Sequence, residues 1–214
     1  MKVIDLTHTI RESMPVYPGT EQPRLTTACT VEKDHFRETL LQMFSHTGTH
    51  MDAPAHVLAG GKTLDQYPAE QFLGKALVID CRHLREGQSI SMDCLEGYGQ
   101  KLHQAEFLLF CTGWDRYWGT EVYFGRYPCV DDTVLRFILE GGYKGIGMDT
   151  ISLDPMASLP RHKKLLALGN TVIIENLTCL EQCGSDLFDF ACLPLKTENA
   201  DGAPVRAVAM LSES

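Results

Sequence analysis

Apolar residues along the chain fall into short runs of the length and composition that predict β-strands. The predicted strands are KVIDLTHTI (2–10), ETLLQMF (38–44), ALVIDC (76–81), EFLLFCTG (106–113), KGIGMDT (144–150), TVIIENL (171–177) and VRAVAML (205–211). Amphipathic segments separate several of these runs. Strands and helices are therefore expected to alternate through the middle of the chain.

Three of the intervening segments have a polar N-terminal residue followed by helical spacing, namely residues 63–74, 92–104 and 130–142. The third has the clearest ends, because Asp131 or Asp132 can cap its N-terminus and Gly141–Gly142 its C-terminus. Consecutive strands at both ends of the chain add antiparallel pairs to this alternation. The pattern predicts an α/β fold with a mixed sheet.

The length and net charge of the chain limit which functions and partners are possible. The 214 residues, 44% hydrophobic and 22% charged, fit one globular domain over residues 1–214. A net charge of −9, with one short basic run at residues 161–164, argues against nucleic acid as a partner. No apolar run is long enough to span a membrane, and the first strand turns polar at Asp5, too early for a secretory leader. We therefore expect no membrane partner and a cytoplasmic protein.

The eight cysteines lie scattered through apolar segments, which predicts mostly buried free thiols instead of disulfides. Cys179 and Cys183 form the one close pair. Their spacing does not match a zinc knuckle, so structural zinc is not expected there.

Residues 45–56, SHTGTHMDAPAH, concentrate the candidate chemistry. In a straight strand the imidazoles of His46 and His50 would start about 13 Å apart, too far for one ion, and this segment is poor helix sequence. A bend at Gly48 would bring both rings toward one point and keep Asp52 on the side of His50.

Two imidazoles and a carboxylate suit zinc or manganese with an open position for water, as a catalytic metal requires. His56 is then either a further ligand or a base beside the ion.

The segment HTGTHMDAPAH resembles the signature H-x-G-T-H-x-D-x-P-x-H of the cyclase family of metal-dependent hydrolases, which includes bacterial kynurenine formamidases and isatin hydrolases. The resemblance continues through DLTHTI (5–10), MPVYPGT (14–20), CTGWD (111–115), GIGMDTISLDP (145–155) and HKKLLALGNTVIIENL (162–177). It implies a single compact α/β domain of the swivelling β/β/α type, with a mixed sheet, a barrel-like β core and flanking helices. It also implies a homodimer or homotetramer.

The resemblance further implies one or two Zn²⁺ or Mn²⁺ ions, with Asp52 shared between them. The implied ligands are His46, His50 and Asp52 for the first ion and Asp52, His162 and Glu175 for the second. His56 matches the acid/base histidine, and Tyr17 falls where related formamidases often have a tryptophan against the substrate ring.

Two positions depart from the family pattern. Tyr17 keeps an aromatic wall but changes its width and adds a hydroxyl. The spacing from His162 to Glu175 is thirteen, one more than expected, with the extra residue at the turn 169–170. A pairing of Glu175 with a cation such as Lys163 is the structural alternative to metal binding.

Further candidates lie outside the motif. Trp114 follows a strand and is expected either to contact the substrate as part of an aromatic lid or to pack in the core. Asp149 and Asp154 are expected to form turn and capping hydrogen bonds, with the site as the alternative.

These features predict a metal-dependent hydrolase acting on the amide bond of a small aromatic substrate. An arylformamidase reaction of the N-formylkynurenine type, from tryptophan catabolism, is the first hypothesis. Ring opening of an isatin-like lactam or lactone is the alternative. A non-catalytic metal- or ligand-binding protein is a further class, against which His56 argues because a binding site needs no base. The absence of a G-x-S-x-G elbow weakens a serine-hydrolase account.

Overall fold

A closed, mixed β-barrel forms the centre of the computed structural model, which describes residues 1–212. The strands of this part of the chain are β1 (Lys2–Asp5), β2 (Arg24–Cys29), β3 (Glu38–Gln42), β4 (His50–Asp52), β5 (Leu73–Asp80), β6 (Ser89–Ile90), β7 (Phe107–Cys111), β8 (Cys129–Val130), β9 (Gly145–Met148), β10 (Val172–Glu175), β11 (Phe188–Pro194) and β12 (Gly202–Leu211). The α-helices are α1 (Val31–Asp34), α2 (Lys101–Gln104), α3 (Asp132–Gly141) and α4 (Pro160–Leu166).

The barrel strands follow the order β12, β11, β5, β7, β9, β10 and β4, and β4 closes the ring by pairing with β12. Strands β5, β7, β9 and β10 are parallel, whereas the remaining pairs in the ring are antiparallel. Strand β1 pairs with β12 outside the ring. This arrangement confirms the predicted α/β domain with a mixed sheet and a barrel-like core.

Alternate residues of the parallel strands belong to two apolar clusters. Val78 and Leu109 pack with side chains from the other barrel strands. Ile79 and Phe110 pack instead with residues of α3 and α4. Because both faces of these strands are buried, their sequences read as continuous apolar runs, which is why the sequence predicts them well.

Helix α3 confirms the third predicted helix. The side chain of Asp131 accepts hydrogen bonds from the backbone N–H groups of Thr133 and Val134, at 2.9 and 2.8 Å. Gly142 ends the helix in the left-handed conformation, with φ of +71°. Both predicted end signals therefore act as caps.

The helix predicted over residues 63–74 is wrong. This segment forms the 3₁₀ turns Leu64–Gln66 and Ala69–Phe72, after which β5 begins at Leu73. Pro68 lies between the two turns, where it lacks the N–H that a continuous helix would need.

The helix predicted over residues 92–104 is also wrong in extent. It divides into the 3₁₀ turn Met92–Leu95 and the short helix α2. Gly97 and Gly99 separate them with φ of +87° and +51°, a conformation that an α-helix does not contain.

Each predicted strand overlaps an observed strand, but β2, β4, β6, β8 and β11 were not predicted. Strand β11 carried the clearest missed signal, because Phe188, Phe190 and Cys192 alternate with more exposed residues. Strand β4 has only three residues, which is too short to show a period.

Strands β2 and β3 form a separate two-stranded sheet, here called the hairpin arm (residues 24–42). Every residue of β3 is exposed, and α1 at the tip has no buried residue. The exposed apolar side chains of the arm include Val31, Phe36, Leu40 and Leu41. An isolated hairpin is marginally stable in water at best, so the hairpin arm combines a small sheet with an exposed apolar surface.

All eight cysteines are free thiols, and all except Cys29 and Cys179 are buried, as predicted. Across residues 1–212, none of the helices has the length and apolar character needed to cross a membrane. The cytoplasmic location stays a prediction.

Candidate metal centre

The predicted bend in residues 45–56 lies at Gly48, whose φ is +66°. A side chain there would be strained by this conformation. The bend brings the ring centroids of His46 and His50 to 5.1 Å from each other. The two imidazoles therefore converge, as the sequence predicted.

Strand β4 carries His50 and Asp52 along the seam that closes the barrel. On one side, Glu175 of β10 stands opposite His50 in the antiparallel register. On the other side, Gly202 of β12 stands opposite Asp52. Barrel closure therefore surrounds the motif with residues that are distant in sequence.

Helix α4 supplies His162 from outside this seam. The carboxylate of Asp154 accepts hydrogen bonds from the backbone N–H groups of Arg161 and His162, which fixes the first turn of the helix. The same carboxylate lies 2.9 Å from Nδ1 of the His162 ring. Nε2 is thereby directed at Glu175 Oε1, 3.0 Å away, and at Asp52 Oδ2, 3.4 Å away.

The buried carboxylate of Asp52 lies at the centre of the cluster. Oδ1 is 2.7 Å from His46 Nδ1 and 3.3 Å from His50 Nε2, whereas Oδ2 faces His162. Glu175 Oε2 lies 3.5 Å from His50 Nε2. Each oxygen of Asp52 thus faces a different part of the cluster.

Two sets of three residues each bring their potential ligand atoms within 4.8 Å of one another, and Asp52 belongs to both sets. One set combines His46, Asp52 and His56, and the other combines His50, Asp52 and Glu175. The resemblance instead groups His46 with His50. The structure brings all five implied ligands into one cluster and adds His56 at its edge.

The histidines and carboxylates of the cluster shift one another's pKa values strongly. Burial opposes protonation of His50, but hydrogen bonds and charges from Asp52 and Glu175 outweigh it and raise the pKa of His50 to about 10. In the same way, Asp154, Asp52 and Glu175 outweigh burial and raise the pKa of His162 to about 12. Against the opposing effect of burial, the surrounding histidines hold the pKa of Asp52 well below its usual range.

The donor set fits a divalent cation. Two buried carboxylates attract positive charge, and without an ion they attract it as protons on the imidazoles. His50 Nδ1 is held by Gly48 O at 2.8 Å and His162 Nδ1 by Asp154, so in both rings Nε2 faces the carboxylates. A cation bound by neutral imidazoles and carboxylates can replace those protons.

The ring of His56, unlike those of His46, His50 and His162, makes no hydrogen bond within residues 1–212. It ends the 3₁₀ turn Pro54–His56, and its Nδ1 lies 4.0 Å from Asp201 Oδ2. Burial, together with the charges of His46 and His162, lowers the pKa of His56 below its ordinary value. The ring borders a cavity of about 810 Å³, a position that suits an acid/base group.

The cavity is lined by both polar and apolar residues. The polar ones include the histidines of the cluster, Glu175, Asn176 and Asp201, and the apolar ones include Pro15, Val16, Tyr17, Phe44, Ile151 and Leu159. Tyr17 lines the cavity, and its hydroxyl accepts a hydrogen bond from Ala157 N at 2.9 Å. Contact of Tyr17 with a substrate stays a prediction.

Trp114 does not line this cavity. It is buried with Tyr123, Tyr127 and Ile151 in a separate cluster, and its indole Nε1–H donates to the backbone oxygen of Tyr123 at 3.0 Å. Its interior position favours the core-packing alternative for Trp114 over contact with the substrate.

Sequence reasoning missed two residues that contact the cluster. Asp201 borders His46, and Asn176 donates from Nδ2 to Gly48 O at 2.8 Å, which supports the bend. Asn176 has φ of +58°, a conformation that asparagine tolerates better than most residues.

Asp154 combines the predicted capping hydrogen bonds with a contact to His162 of the site. Asp149, by contrast, accepts hydrogen bonds from Thr112 and Gly113.

Comparison with known proteins agrees with this geometry. The family described as "Putative cyclase" matches residues 4–155, which include the whole 45–56 segment. The chain therefore belongs to the cyclase family.

Its relatives include enzymes. Kynurenine formamidase from Geobacillus thermodenitrificans is 34% identical over 208 residues, covering 95% of each chain. Kynurenine formamidase from Salinibacter ruber is 32% identical over 217 residues, covering 97% of each. The structure of isatin hydrolase A from Labrenzia aggregata, bound to benzyl benzoate, matches with a TM-score of 0.87 and 25% identity, covering 99% of this chain and 94% of that chain. By its family and relatives this chain is a hydrolase.

Proposed function

We propose that this chain is a metal-dependent arylformamidase, which hydrolyses the amide bond of a small aromatic substrate. The observation that carries the proposal is the buried cluster around Asp52, which lies beside a cavity with an apolar wall. A volume of about 810 Å³ is in the range of small-molecule sites. The similarity to kynurenine formamidases supports the formamide as the reacting group.

We assign metal binding to His46, His50, Asp52, His162 and Glu175, with Asp52 shared between two ions. Zn²⁺ and Mn²⁺ both suit this mixture of imidazole and carboxylate. When bound, such an ion would polarise the amide carbonyl and lower the pKa of water.

The side chains of the protein carry out the remaining steps. The apolar wall, including Tyr17, holds the aromatic ring and keeps bulk water from that side of the substrate. His56 accepts a proton from the attacking water and gives it to the leaving nitrogen as the C–N bond breaks. One water is consumed, and an arylamine and a carboxylic acid are released, the acid being formate for a formamide.

The test is a panel of an arylformamide, an isatin-type lactam and an aryl ester, assayed with chain loaded with Zn²⁺ or Mn²⁺. Arylformamide turnover is expected, and His56→Ala should lower its rate about 10²–10⁴-fold while retaining metal. His103→Ala, on the exposed end of α2, is the matched control. Loss of metal in His56→Ala would make His56 a ligand. Tight metal binding without turnover on any substrate would favour the non-catalytic binder.

Ring opening of an isatin-like lactam or lactone is the second candidate. The similarity to isatin hydrolase A over almost the whole chain favours it. Tyr17 lines the same cavity and is one of the two places where this chain departs from the family pattern. If Tyr17→Trp raises the ratio of arylformamide to lactam turnover, residue 17 contributes to the choice between these substrates.

We also propose that the chain is a homodimer or homotetramer in which a second copy covers the hairpin arm. The arm exposes apolar residues on a sheet too small to be stable alone. It also carries both acidic and basic residues, among them Glu32, Lys33, Asp34 and Arg37, so two copies can be complementary in charge.

A further inference from the structure

Asp201 reaches the metal cluster through the pairing that closes the barrel. Its backbone oxygen accepts a hydrogen bond from Ala53 N at 2.9 Å, and the following residue, Gly202, is in register with Asp52. One residue earlier, Ala200 O accepts from Leu64 N at 2.9 Å. The start of β12 is thus held against the strand that carries the motif.

The side chain of Asp201 faces His46. Oδ2 lies 3.0 Å from His46 Nε2 and also accepts a longer hydrogen bond, of 3.4 Å, from the Ser45 hydroxyl. On the opposite side of the ring, His46 Nδ1 lies 2.7 Å from Asp52 Oδ1. His46 is therefore held between a carboxylate at the centre of the cluster and one at its edge.

The same arrangement recurs at the other histidines. His50 uses Nδ1 to donate to Gly48 O, and His162 uses Nδ1 toward Asp154, so that each presents Nε2 to the central carboxylates. Histidines that bind metals commonly donate their second N–H to such an oxygen, which fixes the tautomer and the ring orientation. At His46 the outer oxygen belongs to Asp201.

Gly202 contributes a second, steric restraint on the same ring. A Cβ atom built on Gly202 would lie 2.4 Å from His46 Cε1 and 2.7 Å from Nε2. Real side chains do not approach so closely. The imidazole therefore occupies space that only a glycine leaves open beside the β12 backbone.

We propose that Asp201 is a positioning residue for His46. It accepts a hydrogen bond from Nε2–H and so leaves Nδ1 available to an ion that would bind beside Asp52, while Gly202 leaves room for the ring. This assignment rests on the proposed metal site. It gives the start of β12, 155 positions from His46, a part in metal binding.

The test measures the affinity of metal-free protein for Zn²⁺ by competition with a chelator of known affinity. Asp201→Ala is expected to weaken binding about 10- to 100-fold, the usual effect of losing such an outer oxygen. Asp201→Asn should restore most of the affinity, because its amide oxygen can accept the same N–H. Asp65→Ala is the matched control, since Asp65 Oδ1 accepts from Ala200 N in the same turn but does not touch His46.

Gly202→Ala provides an independent variant that keeps the carboxylate but displaces the ring, and it should weaken Zn²⁺ binding as well. Unfolding temperatures of the metal-free proteins identify variants that fail to fold. Unchanged affinity in Asp201→Ala would overturn the proposal, as would equal losses in Asp201→Ala and Asp65→Ala or no rescue by Asp201→Asn. If the unaltered chain binds no Zn²⁺, the metal site itself fails, and this assignment fails with it.

Discussion

The carboxylate of Glu175 lies 3.0 Å from Nε2 of His162, although thirteen positions separate the two residues in the sequence. Helix α4 ends at Leu166, and Gly169, with φ of +76°, turns the chain so that both side chains still point into the cluster. In the described chain no lysine or arginine pairs with Glu175, so the alternative partner Lys163 is wrong. The extra residue in the turn does not disrupt the geometry of the site.

Glu175→Gln should lower bound metal from two equivalents per chain toward one and abolish most activity. The substitution removes the negative charge that stabilises a cation but nearly keeps the shape of the side chain. Elemental analysis of the purified protein measures the effect, with Glu140→Gln on the exposed side of α3 as the control. Unchanged stoichiometry would make Glu175 structural and the protein a one-metal hydrolase.

The parts of the site that were predicted lie close together in sequence. The bend at Gly48 and the alternation of His50 and Asp52 follow from local backbone geometry. His162 and Glu175 required the family resemblance, because no periodicity relates a helix start to a strand end. Asp201 was missed because only the pairing of β4 with β12 brings it to the cluster.

In the fold, too, the features that depend on long-range pairing were not predictable from the sequence. The class of fold was predictable because the parallel strands are mostly continuous apolar runs with both faces buried. Closure of the ring depends on β4, a strand of three residues whose two partners are far away in the chain. The two wrong helices arose because polar and apolar spacing alone does not distinguish consecutive 3₁₀ turns from an α-helix.

Asp149 should make the stability of the fold depend on pH. Burial, only partly offset by hydrogen bonds from Thr112 and Gly113, raises the pKa of this carboxyl to about 7. A raised carboxyl pKa means that the folded state holds a proton which the unfolded state releases above its model value of 3.8. The stabilising contribution is therefore complete below that value and is lost as the pH rises to about 7.

Asp149→Asn cannot ionise, so its free energy of unfolding should increase relative to that of the unaltered chain between pH 4 and pH 7. The expected change is on the order of a few kcal/mol. Urea unfolding at several pH values in the absence of metal measures it, and Asp132→Asn, at an exposed position in α3, is the control. If the two stability curves stay parallel over this pH range, the carboxyl of Asp149 does not titrate there.

Self-association should depend on the hairpin arm. The double variant Leu40→Glu, Leu41→Glu places charge on both faces of β3 and is expected to dissociate the oligomer. Sedimentation measures the assembly, and Val122→Glu, another exposed apolar position outside the arm, should leave it intact. If the unaltered chain sediments only as a 23.9 kDa species at micromolar concentration, the proposed assembly is incorrect.

The most direct test of a metal-dependent hydrolase is a titration of metal-free chain with Mn²⁺ or Zn²⁺, in which the initial rate of arylformamide hydrolysis is measured at each addition. The account predicts negligible hydrolysis without metal and a rate that rises with added ion until about two equivalents are bound, the capacity of a ligand set that shares one carboxylate. Full activity in the metal-free chain, or tight binding of the ion with no hydrolysis, would contradict it.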